Sequence, residues 1–232
     1  MDYILSGMIK AVLFDLGGTL IKGNEIPQVI KMYDNFLQSF GLKKSQEEIV
    51  RAYEKANSRE NVQMFLYSSR GFWIEFNVFF LSELKVKKKM VEIAKVIDRE
   101  WWCKIKLSFY PDVLPTLDAL RRRNLKIGII SNGLESDIKQ ILKLADVNYN
   151  FDIKVGIDTF KSLKPDKEIF LLTLKKLDLN ESEVLYVGDS LRNDYEGAEN
   201  VGIYPILIDR EDSIKVEGVR KVLDLRMILK YL

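Results

Sequence analysis

The chain has 232 residues, 47% hydrophobic and 30% charged, a balance that excludes a disordered or low-complexity chain. Lys+Arg 36 against Asp+Glu 34 leaves a formal charge of +2, too little for a dedicated nucleic-acid surface. A single Cys and no His exclude an internal disulfide framework and any mechanism that needs an imidazole.

Near the start, Ile9 to Phe14, apolar apart from Lys10, form a run followed by Asp15-Leu16-Gly17-Gly18-Thr19-Leu20. Such a run bounded by glycines predicts a strand buried inside a parallel sheet. A carboxylate at its carboxyl end stands where open α/β sheets bind ligands, and the glycines let the backbone turn sharply beside it. Taken alone, an Asp that caps a tight turn reads as well. Met8 precedes this strand, and residues 1–7 are read as an extension or an upstream start.

From there to Tyr110 no strand-like alternation occurs. Four stretches carry apolar residues at spacings of three and four. They are Val29, Tyr33, Phe36, Leu37, Phe40; then Ile49, Tyr53, Ala56; then Phe72, Trp73, Phe76, Phe79, Phe80; then Met90 to Trp101. Each predicts a helix with a buried stripe.

From Tyr110 onward strand and helix alternate, as a parallel sheet requires. Ile127 to Ile130 predicts a strand that ends in Ser131-Asn132-Gly133, before a helix near Glu135. The hydroxyl and amide there suit an anion beside a helix N-terminus, or equally an N-cap and a turn. Lys164-Pro165 enters a helix whose apolar face is Ile169, Phe170, Leu174 and Leu177, with Pro165 in its first turn. Val184 to Val187 predicts a strand followed by Gly188-Asp189-Ser190-Leu191-Arg192-Asn193-Asp194, whose two carboxylates can reach one hard cation. Tyr204 to Ile208 predicts the last strand, placed at a sheet edge by Pro205, and Val219 to Leu232 a closing helix.

In order, DLGGTL at 15–20, SNG at 131–133, KP at 164–165 and GDSLRND at 188–194 resemble the four motifs of the haloacid dehalogenase superfamily. The resemblance spans nearly the whole chain. It implies a doubly wound α/β core with a Rossmann-like parallel sheet, residues 1–22 and 108–232, and an inserted helical cap of the C1 type, residues 23–107. It also implies Asp15 as nucleophile, Lys164 as its catalytic partner, and Ser131, Asn132 and Lys164 as contacts to a small phosphorylated substrate. Magnesium would be held by Asp15, the Gly17 carbonyl, Asp189 and Asp194, the last through water. One position departs from the pattern: Gly17 stands where family phosphatases carry a second Asp, the acid–base catalyst, which puts turnover rather than fold in question.

The expected function is therefore a Mg²⁺-dependent hydrolase of small phosphorylated metabolites that favours good leaving groups. The alternatives are a dehalogenase or phosphonatase-type hydrolase, and a non-catalytic relative that binds phosphate or a partner. The acid pair Asp189 and Asp194 weighs against dehalogenation. A phosphonatase needs a cap lysine such as Lys55, around which no motif stands. Met64 to Tyr67 with Phe72-Trp73 are read as cap core ahead of a substrate lid, and Arg59 and Arg70 as exposed rather than substrate-binding. The clusters Arg121-Arg122-Arg123 and Lys87-Lys88-Lys89 are read as solvated helix ends, and Cys103 beside Trp101-Trp102 as a packed thiol in a reducing compartment. With no apolar run near ~20 residues and no basic start before an apolar segment, a cytoplasmic monomer or homodimer, away from membranes and nucleic acid, is expected.

Overall fold

The computed structural model describes residues 9–23 and 25–232, so the expectations for residues 1–7 and Met8 lie outside the described residues. The chain divides into two compact units, Met1–Lys22 with Leu107–Leu232, and Gly23–Lys106.

The first unit is built on β1 (Ala11–Phe14), β2 (Ile21–Lys22), β3 (Ser108–Phe109), β4 (Lys126–Ile130), β5 (Ile153–Val155), β6 (Val184–Gly188), β7 (Tyr204–Ile208) and β8 (Lys221–Val222). Six of these form one sheet in the order β5-β4-β1-β6-β7-β8, every pairing parallel. This is the Rossmann-like α/β fold. β1 is central, and Ala11, Val12, Leu13 and Phe14 are all wholly buried, which explains the unbroken apolar run: a strand covered on both faces needs no polar side chain. β2 and β3 pair antiparallel as a separate short ribbon.

Two expectations are corrected here. β7 is not the edge, because β8 pairs with it at Leu207–Lys221 and Ile208–Val222. That pairing covers only the carboxyl half of β7, so Pro205 lies beyond it and its missing N–H breaks no ladder bond. The tail is not one closing helix either: β8 takes Lys221–Val222, and a 3₁₀ helix follows over Leu225–Tyr231.

Gly23–Lys106 is all helical: α1 (Ile26–Ser39), α2 (Gln46–Ala56), α3 (Arg59–Phe65), α4 (Phe72–Glu83) and α5 (Met90–Lys104). Five helices stand where the sequence suggests four. α3 escapes the periodicity because its seven residues bury only Val62 and Phe65. α4 packs against α5, α2 and α3, which is why aromatic residues surround it instead of forming one stripe. Phe65 meets Phe72 and Phe76 edge-on, with ring centroids 6.1 and 5.9 Å apart. Tyr33 donates to Asn77 Oδ1 at 2.9 Å inside this core. Cys103 is exposed, not packed: the buried face of α5 falls on Ile93, Ala94 and Ile97.

The sheet is flanked by α6 (Val113–Arg122), α7 (Glu135–Leu144), the single turn α8 (Ile157–Phe160) and α9 (Lys167–Leu177). Ile169, Phe170, Leu174 and Leu177 of α9 join Ala11, Leu13, Ile130, Val184 and Tyr186 in one buried cluster. Helix α9 starts later than expected: Asp166 stands at its N-cap position, so Pro165 precedes the first turn. Arg121 and Arg123 do more than sit in solvent. Arg121 pairs with Asp152 at 2.7 Å, and Arg123 donates to the Leu229 carbonyl at 3.1 Å.

Candidate active site

β1, β4 and β6 are neighbours in the sheet, so the residues that follow them meet at one rim. Asp15 follows β1, Ser131 follows β4 and Asp189 follows β6. The loop before α9 adds Lys164 through a cis Lys164–Pro165 bond.

Asp194 arrives by a less regular route. Residues Leu191–Glu196 form a π-helical turn, with the amides of Asp194 and Tyr195 both donating to the Ser190 carbonyl at 3.0 and 3.1 Å. The wider turn sends Asp194 inward, where it is 2% exposed, and such turns recur at functional sites. Gly188 makes this possible. A Cβ at 188 would stand 2.3 Å from Asp194 Cβ, so any side chain there would push the acid out. Gly18 has a matching role with φ at +78°: a Cβ there would lie 2.3 Å from Asp189 Oδ2. Gly17, by contrast, is not among the positive-φ glycines and makes an extended bridge to Ile21.

Lys164 is the hub. Its ammonium donates to Asp15 Oδ1 at 2.6 Å, to Asp194 Oδ1 at 2.6 Å and to the Tyr186 hydroxyl at 3.1 Å. Tyr186 in turn donates to Asp194 Oδ1 at 3.0 Å. The other oxygen of Asp194 accepts the Ser190 amide at 3.0 Å. Asn132 clamps the Lys164 main chain, accepting from its N–H at 2.7 Å and donating to its carbonyl at 3.0 Å. That fixes where the lysine starts and leaves one amide proton of Asn132 for other use. Ser131 Oγ accepts from the Gly133 amide at 3.1 Å and retains its own proton to donate.

Charge is out of balance here. Asp15, Asp189 and Asp194 each present a carboxylate oxygen within 4.8 Å of the others, with Lys164 the cation among them. Burial pushes the Asp15 carboxyl up to about 6, with Lys164 opposing and Asp194 adding to the rise. Asp189 is pushed up to about 8, by desolvation and then by the charges of Asp15 and Asp194. Its side chain is open to water, which limits the first cause and leaves the repulsion standing. Burial works against the Lys164 charge, but its two carboxylate partners outweigh that and hold it well above the usual lysine range. An excess of hard oxygen donors that resist joint ionisation fits a small divalent cation such as Mg²⁺.

Two supporting groups were not legible in the sequence. Tyr186 reads there as one more apolar strand residue, and the only signal for it is a lone hydroxyl in a wholly buried strand. Arg210, just past β7, donates to the Thr19 carbonyl at 2.7 Å and pairs with buried Asp112 at 2.8 Å. It thereby braces the loop that follows Asp15, and nothing in its sequence neighbourhood signals this.

Other candidates have partners of their own within the helical unit. Lys55 pairs with Glu83 at 2.9 Å and Arg70 with Glu75 at 2.8 Å, both within the helical unit. Phe65 and Phe72 are buried in that unit, whereas Met64 and Tyr67 are 53% and 75% exposed. Among the described residues no helix is long and apolar enough to cross a membrane.

The chain is similar to known proteins. A pyrophosphatase (PpaX) of Bacillus mycoides is 27% identical over 200 residues, covering 86% of this chain and 83% of that protein. The crystal structure of a HAD phosphatase from Thermococcus onnurineus is 27% identical, with a TM-score of 0.63 over 95% of this chain and 98% of that one. A 2-haloacid dehalogenase from Pseudomonas syringae pv. Tomato, 20% identical with a TM-score of 0.71 over 97% and 98% of the two chains, shares the fold. The model of the haloacid dehalogenase-like hydrolases matches residues 9–202; with the strand-end carboxylates and Lys164 in place, the chain belongs to that hydrolase family.

Proposed function

We propose that this chain is a Mg²⁺-dependent cytoplasmic phosphatase of small phosphorylated metabolites that works through an aspartyl-phosphate on Asp15. The observation that supports it most is the convergence of Asp15, Asp189 and Asp194 within 4.8 Å, with Lys164 bonded to two of them. Asp15, the Gly17 carbonyl and Asp189 would hold the cation. Asp194 would join through water, since protein donors already engage both of its oxygens. When bound, Mg²⁺ supplies a Lewis acid that neutralises phosphoryl oxygens.

Asp15 then attacks phosphorus, and the leaving group departs with its electron pair. Lys164 keeps the Asp15 carboxylate aimed and offsets charge on the phosphoryl group, while Ser131 donates to one of its oxygens. Water cleaves the acyl-phosphate. No side chain at Gly17 protonates the leaving oxygen, so acyl and aryl phosphates should react faster than alkyl phosphates. The helical residues 23–107 would act as the cap that selects among substrates.

The test is a panel of pyrophosphate, acyl, aryl and alkyl phosphates and a 2-haloacid, each assayed with Mg²⁺ and with EDTA. Phosphate release that needs Mg²⁺ and vanishes in a folded Asp15→Asn variant is the expected result. Metal-independent halide release, or near wild-type turnover by Asp15→Asn, would overturn the proposal.

A further inference from the structure

Lys164 is 3% exposed, and its ammonium has three protons to place. Two go to Asp15 and Asp194, and the third meets the hydroxyl of Tyr186. Tyr186 sits in the middle of β6, wholly buried, paired across the sheet with Leu13 on one side and Pro205 on the other. Its ring packs edge-on against Phe170 with centroids 5.3 Å apart, so the hydroxyl has little freedom to swing. Beyond Lys164 and Asp194, the hydroxyl makes a long contact to the Ile130 carbonyl at 3.4 Å.

We propose that Tyr186 is a positioning residue, whose hydroxyl takes the third ammonium proton of Lys164 and so aims the other two at Asp15 and Asp194. The inference rests on the phosphatase reading above, and adds to it a residue outside the four polar clusters.

The physical case is one of degrees of freedom. A lysine bonded to two carboxylates alone can still rotate about its terminal bond and slide between them. A third acceptor, carried by a side chain that the core locks, removes that freedom. Tyr186 also donates to Asp194 Oδ1, the same oxygen that Lys164 binds. Lysine, tyrosine and aspartate therefore close a triangle, which fixes Asp194 and gives the attacking carboxylate a fixed cationic neighbour. A nucleophile displaced by ~1 Å can lose ~10²-fold in rate. The effect of losing Tyr186 should fall on the chemical step and not on substrate capture, because Tyr186 itself lies beneath Lys164 and is fully enclosed.

Tyr186→Phe removes only the hydroxyl and keeps the packing on Phe170; Tyr186→Leu repeats the test should the first variant fail to fold. Two readouts are needed. Steady-state kinetics on the best phosphate substrate should show kcat lowered at least ~10-fold, with KM and the half-saturating Mg²⁺ each within ~2-fold of wild type. Independently of turnover, the ¹⁵N–¹H signal of the Lys164 ammonium, assigned by its loss in Lys164→Met, should exchange with water at least ~10-fold faster in Tyr186→Phe. Unchanged exchange overturns the inference, and so does faster exchange with kcat unchanged or with the loss confined to KM. If wild type turns over none of the panel, the phosphatase reading falls, and the exchange measurement alone decides whether Tyr186 anchors Lys164.

Discussion

Lys164→Met is the most revealing single perturbation of this site. The side chain is nearly isosteric and apolar, but it leaves Asp15 and Asp194 without the ammonium that sits 2.6 Å from each. Removing one partner of a buried ion pair costs about 3–5 kcal/mol, because the abandoned charge stays in a poorly solvated place. In a chain of this size 1 kcal/mol corresponds to roughly 2–4 °C, so the melting temperature should fall by about 6–20 °C. The loss should also depend on pH. Asp15 already has its folded value raised from 3.8 to about 6 with Lys164 present, and Lys164 is among the groups lowering it. Without the lysine it rises further. A carboxyl that binds its proton more tightly when folded contributes most stability below its unfolded value and loses it as pH rises through the folded one. The deficit of Lys164→Met should therefore be large at pH 8 and shrink towards pH 5. Circular-dichroism melts in EDTA at both pH values measure it, and Lys164→Met with Asp15→Asn should recover part of the loss at pH 8. A deficit under about 1 kcal/mol, or one equal at the two pH values, would refute the view of Lys164 as the counter-charge of this cluster.

Three further outcomes are expected. Asp189→Ala should weaken Mg²⁺ binding at least ~10-fold by calorimetry, and equal affinities would remove Asp189 from the metal site. In EDTA the wild-type melting temperature should fall as pH rises from 5 to 9, because Asp15 and Asp189 are raised to about 6 and about 8; Mg²⁺ should restore most of it at pH 9, and a flat profile would contradict the crowding of charge. Gly17→Asp should raise kcat on alkyl phosphates by up to ~10²–10⁴-fold with less gain on aryl phosphates, and the absence of positive φ at Gly17 removes the backbone objection to a side chain there; a Gly17→Asn control that behaves the same would refute the protonation account.

Much of the site could be read from the sequence because three of its residues follow buried strands. Asp15, Ser131 and Asp189 all interrupt apolar runs, and a polar residue at such a boundary needs a reason. The fold was legible for the same cause: β1, β4 and β6 are covered on both faces and so are written as continuous apolar stretches. Where local sequence carries no such contrast, the reading failed. α3 buries too few residues to show a period, and β8 has two residues, too few to alternate. The π-helical turn that brings in Asp194 has no signature apart from the acid itself.

The sequence by itself determined which residue types stand at the strand ends, and hence the hydrolase family and the hard-oxygen character of the site. Only the tertiary structure decided which atoms they meet. Lys164 reaches Asp15 across 149 residues because the sheet order sets β1 between β4 and β6. That same order places the Tyr186 hydroxyl behind the ammonium and gives Asn132 a clamp on the Lys164 backbone. Periodicity specifies which face a side chain occupies. The partner across that face is fixed by strand order and register, which arise when remote segments bury their apolar surfaces together.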